Sequence, residues 1–457
     1  MYNPKNYERR VLMIKDMTKG NPGKIVFLFA IPMVMGNIFQ QFYNIIDSVV
    51  VGNFIGANAL AAVGASYPIT FLFIAIATGA SIGCSVVISQ MFGAKQIGNM
   101  KTAIYTSIIS IVIFSTLLMI IGIISSNLVL RILKTPLDIL KDADSYMKVY
   151  MMGVVFLFVY NINTGAFNAL GNSKTPLYFL IFSSILNVGL DLLFVIKFNI
   201  GVVGAAYATL ISQGVAAVLS LIYLLIKVKR IDVHEEYKIF DINILKKTCK
   251  IAIPSIIQQA IVSIGNLFVQ ALVNTYGVVT IAAYTSATRI DSIIIMPMVN
   301  ISSAVSTFTA QNIGADLIER VKDGYKAALK MIGVFCFIIA ILLHVYAKNI
   351  IGIFVDSNIN QEAISIGVEY ITVVSIFYVL MGLMVTTNGV LRGAGDIKVF
   401  MISTLCNLSL RVIAAYTLSN LIGQKAIWWA IPLGWILAST ISVSRYKSER
   451  WKNAKMV

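Results

Sequence analysis

Apolar residues run in blocks of about twenty or more along this chain, with polar residues gathered in the short gaps between them. A block of that length, coiled as α-helix at about 1.5 Å per residue, matches the hydrocarbon thickness of a bilayer. The narrower apolar stripe of a water-facing helix is not the dominant pattern. Twelve blocks can be delimited, at residues 24–51, 59–91, 101–125, 144–170, 175–197, 202–228, 244–276, 279–311, 324–347, 362–392, 396–420 and 424–446. The pattern predicts an all-α integral membrane protein with twelve transmembrane helices.

The blocks form two sets of six that match in register. Pro32 and Asn44 correspond to Pro254 and Asn266 at an offset of 222, and Gln90, Gly93 and Ala94 to Gln311, Gly314 and Ala315 at 221. Gly165, Gly171 and Lys174 correspond to Gly389, Gly395 and Lys398 at 224. Six is even, so both sets start on the same side of the membrane. That predicts two six-helix lobes related by a parallel pseudo-twofold repeat. The expected division is 1–226 for an N-terminal lobe, 227–247 for a cytoplasmic linker and 248–457 for a C-terminal lobe. Pro32, Pro68, Pro254 and Pro297 fall inside blocks, where each removes a backbone hydrogen bond, and Pro32 is the leading hinge candidate.

Composition agrees: 58% of the 457 residues are hydrophobic and 12% are charged, against roughly 25% charged in a soluble chain. A net charge of +16 would point to nucleic acid in a soluble protein. Here 27 of the 36 lysines and arginines fall on the amino-terminal side of the blocks and 7 on the other. Basic residues stay on the cytoplasmic side during insertion. The charge is therefore a topology signal, placing both termini in the cytoplasm of a multi-pass cell-membrane protein with no nucleic-acid partner. No cleavable signal peptide is expected. Cys84, Cys249, Cys336 and Cys406 are scattered without a CxxC pair, so neither disulfide, metal site nor cofactor is expected.

Two aspartates then stand out. Asp47 and Asp191 lie inside apolar blocks, where an acidic side chain costs about 2.5 to 3.5 kcal/mol on insertion scales. Helix rise puts Asp47 about 8 Å, Asp191 about 9 Å and Thr209 about 12 Å from the outer ends of their spans. Asn187 shares a helix face with Asp191, and Tyr43 and Gln40 share one with Asp47. Asn161 adds an amide from the fourth span. Two carboxylates among amide and hydroxyl oxygens can hold a desolvated monovalent cation or share a proton. The second half lacks this set: Val269, Ala415 and Arg411 stand where Asp47, Asp191 and Asn187 stand in the first. Its buried charges are expected to be Arg289, Asp291 and Arg411, with an Asp291–Arg411 pair across helices. Met33, Met35, Phe39, Phe42, Met296, Met298, Met381 and Met384 are candidates for an adaptable apolar chamber. His234 and His344 are not expected to carry protons.

The ordered set IPMVMGNIFQQFYNIIDSVVVG, VISQMFGAK, ALGNSKTP and NVGLD, with the echoes TFTAQNIGA and VLRGAGDIK, resembles the multidrug and toxic compound extrusion family from about Ile25 to Ile441. The resemblance implies an antiporter, not an enzyme, that exports cationic or amphiphilic organic compounds against inward sodium or proton flow. It assigns ion coupling to Asp47, Asn187, Asp191 and Thr209. Some branches carry an acidic residue in the seventh helix, where this chain has Gln258, Gln259, Asn266, Gln270 and Asn274. A monomer is expected. The alternative on a related fold is a flippase for lipid-linked saccharide precursors. Such a carrier needs a basic cavity, and two arginines expected to be buried against three such aspartates disfavour it.

Overall fold

The computed structural model describes residues 15–232, 235–353 and 361–456, so His234 lies outside the described residues. The chain runs through α1 (Pro22–Phe54), α2 (Ala57–Gly93), α3 (Ile97–Ile132), α4 (Leu137–Ala169), α5 (Lys174–Asp191) and α6 (Val202–Lys229). It continues through α7 (Ile242–Asn274), α8 (Val278–Gly314), α9 (Ile318–Gly352), α10 (Gln361–Ile376), α11 (Tyr378–Ala394), α12 (Ile397–Ile422) and α13 (Lys425–Lys447). Eleven spans are single helices, α5 counted with the π turn that extends it. The twelfth, read from sequence as one block at 362–392, is α10 and α11 meeting at 51°.

Local chemistry sets the helix ends. Asn21 caps α1, its Oδ1 accepting from the Lys24 N–H at 3.0 Å, and Pro22 takes the first helical position, where no N–H is needed. Asp241 does the same for α7, accepting from the N–H groups of Asn243 and Ile244 at 2.8 and 3.3 Å. Those two donors hold its carboxyl below the usual range. The linker before it lies along the first turns of α3. Gly98 donates to Glu235 at 3.4 Å, and the N–H groups of Lys238 and Asp241 donate to the Thr102 and Thr106 hydroxyls, each at 3.0 Å.

The duplication is explicit in the coordinates. Helices α1 and α7 have 33 residues each, and α2 and α8 have 37 each. Ser81 donates to the Asn161 carbonyl at 2.6 Å, and its counterpart Ser302 donates to the Val385 carbonyl at 2.5 Å. Beside each serine a glycine allows the helices to close. A Cβ on Gly165 would meet Ser81 Oγ at 2.6 Å, and one on Gly389 would meet the Ser302 carbonyl at 2.5 Å. Small residues that let backbones approach are a main source of helix association in lipid. Gly165→Ala is therefore expected to cost about 1–3 kcal/mol through overpacking. Gly333→Ala meets nothing within 4 Å and serves as the control. Thermal unfolding in detergent reads the difference.

By packing, the chain forms two compact units: Ile31–Ile256 with the stretch before Met17, and Met17–Ala30 with Ile257–Val457. The expected division at 226 and 247 thus shifts. The opening turns of α1 pack with the second unit, and the linker and opening turns of α7 with the first. Pro32 and Pro254 stand within three residues of these exchange points. In the first unit α4 packs against α2, α3 and α6; in the second α11 packs against α8, α9 and α13, helix by helix the same order. The outward face of α3, including Ile113, Leu117, Ile121, Ile124 and Leu128, is exposed and wholly apolar, as a lipid-facing surface requires. His344 is exposed and bonds only to the Ala340 carbonyl, at 2.8 Å.

Candidate functional site

In the first unit the outer turns of α1, α4, α5 and α6 close on a small apolar core of Val50, Val51, Tyr146, Val149, Val195 and Val202. The polar cluster sits beside it. Asp191 is the last α-helical residue of α5, and the chain then widens into a π turn, Leu192–Lys197. Such turns recur at functional sites because they re-aim the side chains beside them. Asp191 is fully buried, Asn187 and Thr209 are 1% and 7% exposed, and Asp47 and Tyr43 on α1 are half-buried.

The cluster is bonded from one end to the other. With its amide oriented to satisfy both neighbours, Asn187 donates to Asp191 Oδ2 at 2.8 Å and accepts from the Thr209 N–H at 3.2 Å. The Thr209 and Tyr43 hydroxyls lie 3.3 Å apart, tying α6 to α1. The carboxyl groups of Asp47 and Asp191 are within hydrogen-bonding reach of each other. Each keeps one buried oxygen, Oδ1, with no other partner. Buried carboxylate oxygens without donors are costly, and two facing each other repel. A single proton or small cation between them removes both penalties. No group of three or more His, Cys, Asp or Glu side chains converges among the described residues, and an all-oxygen set suits a hard monovalent cation better than a transition metal.

Of the residues expected here, the structure thus brings together Asp47, Asp191, Asn187, Thr209 and Tyr43. It leaves two apart. Gln40 is exposed on α1, and the Asn161 amide donates to the Leu157 carbonyl of its own helix at 2.9 Å, because that acceptor lies one turn back. It also adds two tyrosines that the sequence reading passed over. Tyr146 is buried near Asp47, Tyr43 and Asp191, and it stacks on Tyr150 at 6.4 Å. Their i, i+4 spacing on a helix with polar neighbours was the available signal.

The second unit corrects two expectations. Asp291 forms no direct ion pair with Arg411, which acts on it only at longer range. It accepts instead from the hydroxyls of Tyr370 and Tyr378, while Arg411 Nε is buried without a hydrogen-bond partner. The two phenols come from α10 and α11, both of which pack on α8. Arg289, expected among the buried charges, lies on the exposed face of α8, two residues and about 200° from Asp291. Met298, Met381 and Met384 are in the apolar core, so they pack helices, whereas Met35, Phe39 and Phe42 are exposed on α1.

A single family model, MatE, matches twice, over residues 32–193 and 254–417, its two starts separated by the same 222 residues as Pro32 and Pro254. The chain belongs to the MatE family. Among similar proteins, the probable multidrug resistance protein YpnP of Bacillus subtilis (strain 168) is 31% identical over 96% of this chain and 98% of its own. A FAD transporter of Shewanella oneidensis is 25% identical over 90% and 91%. A crystal structure of MATE in the bent conformation shares 26% identity and a TM-score of 0.88, covering 96% of this chain and 98% of that one. Family and fold are those of multidrug-efflux transporters in membranes.

Proposed function

We propose that this MatE transporter is a cation-coupled antiporter that exports cationic or amphiphilic organic compounds across the cell membrane, with both termini in the cytoplasm. The observation that carries this reading is the closeness of two buried carboxyl groups, Asp47 and Asp191, each with one oxygen that has no hydrogen-bond partner. Inward-moving sodium or a proton binds there, and Asn187, Thr209 and Tyr43 fix the geometry. Because Asp47 rides on α1 and Asp191 on α5, filling the pair draws the two helices together. Pro32, which leaves α1 one backbone bond short, lets the helix bend in response. Bending lowers the affinity for cargo and permits its release.

The energies suffice. One charge crossing 100 mV supplies about 2.3 kcal/mol and one pH unit about 1.4 kcal/mol. Together they sustain roughly a 500-fold cargo gradient at 1.4 kcal/mol per tenfold. The test is efflux from proteoliposomes of the purified protein, first under a sodium gradient alone and then under a pH gradient alone. An organic-cation dye and FAD serve as alternative cargoes, the latter because a relative is named for it. Uphill dye export under one gradient supports the reading. Export of FAD but not of the dye refutes the cargo class, and no export under either gradient refutes the coupling.

A further inference from the structure

The 51° break between α10 and α11 falls where the chain has no proline, no glycine–serine pair and no π-bulge. Sharp kinks sit almost always at proline, at glycine–serine pairs, at π-bulges, or where a side chain intrudes on the backbone ladder. Residues 371–381, ITVVSIFYVLM, contain neither proline nor glycine. The corresponding span of the first half carries Gly153 where this one has Phe377, yet α4 runs unbroken from Leu137 to Ala169. At the break the backbone merely tightens, with the Phe377 N–H bonded to the Val374 carbonyl at 3.0 Å. Ser375 donates back to the Thr372 carbonyl at 3.1 Å, a contact that often bends helices, so Ser375 is the local alternative that the test must separate from Asp291.

What distinguishes this span is Asp291. From α8, this buried carboxylate accepts at Oδ2 from Tyr370 on α10, at 2.6 Å, and at Oδ1 from Tyr378 on α11. Each arm is held by its own oxygen of one carboxylate. In the first half Thr70 stands at the position of Asp291 and Val154 at that of Tyr378, so the bridge is missing where the span is one uninterrupted helix. Packing holds the clamp in place. Tyr370 lies edge-on to Tyr284 at 5.8 Å and to Trp428 at 6.2 Å, and Tyr378 is against Trp435 at 6.1 Å.

We propose that Asp291 is the pin of a switch in the second half of the transporter: holding both tyrosines it keeps the tenth span bent, and letting go of either arm allows α10 and α11 to become one helix. Asp291 is a positioning residue here. It acts on the shape of a span and takes no part in the cation site of the first unit, so the proposal needs the transport reading only for its rate measurement.

The test uses the full-length protein in nanodiscs, with its four cysteines replaced by alanine and spin labels at Glu362 and Lys398, two exposed positions near the far ends of the arms. With Asp291 and both tyrosines present, one distance is expected. Tyr370→Phe, Tyr378→Phe and Asp291→Asn should each add a population longer by about 4 Å, the gain from straightening two arms of this length. Ser375→Ala should match the unaltered chain. Identical distance distributions in all variants, or lengthening by Ser375→Ala alone, would overturn the proposal. In efflux assays Tyr378→Phe should lower the maximal rate at least threefold with the half-maximal cation concentration unchanged. An unchanged rate would refute the switch.

Discussion

Asp47→Asn is expected to abolish cation-driven export, lowering uphill efflux by about 100-fold while leaving the protein folded and in the membrane. The estimate rests on the cost of breaking a buried charged arrangement by removing one member, about 3 kcal/mol, at 1.4 kcal/mol per tenfold. Asparagine keeps the size of the side chain and one acceptor oxygen, so packing against Val50 and Val51 is preserved. What it removes is the second negative charge, and with it the reason for a cation or proton to sit between α1 and α5. The measurement is dye efflux from proteoliposomes under an imposed gradient, with thermal unfolding as the control for folding. Full uphill efflux in this variant would defeat the coupling scheme. Asp191→Asn should behave alike, because neither carboxylate makes the site alone.

Asn187→Leu should give the second-largest effect, and of a different kind. Asn187 donates to Asp191 Oδ2 at 2.8 Å and is almost fully buried. Leucine fills the space and leaves that oxygen without its donor, at a cost of about 1–3 kcal/mol. The expected result is a half-maximal coupling-cation concentration raised roughly 10- to 100-fold, with the maximal rate recovered when the cation is saturating. A lowered maximal rate with an unchanged cation dependence would mean that Asn187 only packs helices. The same substitution at Asn161, whose amide is spent on its own helix, should leave the cation dependence within about twofold, inside the scatter expected of a surface change.

Much of this arrangement was legible in the chain, for physical reasons that differ from residue to residue. Apolar blocks reveal spans because a bilayer tolerates almost nothing else, and Asp47 and Asp191 were conspicuous against that background. Their distances from the ends of their spans followed from helix rise. The internal repeat was readable because Gly165 and Gly389 each stand where a helix presses on a serine, and no larger side chain fits there. Other features depend on contacts far apart in sequence. The break at Phe377 has no proline or glycine to announce it, since its cause is a carboxylate on another helix. Tyr146 and Tyr150 read as ordinary core aromatics until α1 and α5 are seen beside them. Arg411 and Asp291 invited pairing on charge, but two nearer phenols took the carboxylate.

The coupling claim is tested most directly by infrared difference spectroscopy of the carboxyl stretch, recorded while the reconstituted protein is titrated with sodium or acid. The account predicts a shared-pair carboxyl band, separable from the protein's other acids by difference against the variants, that loses its original midpoint in Asp47→Asn and equally in Asp191→Asn because both residues hold one guest. A band that survives in either single variant at its original intensity would contradict it.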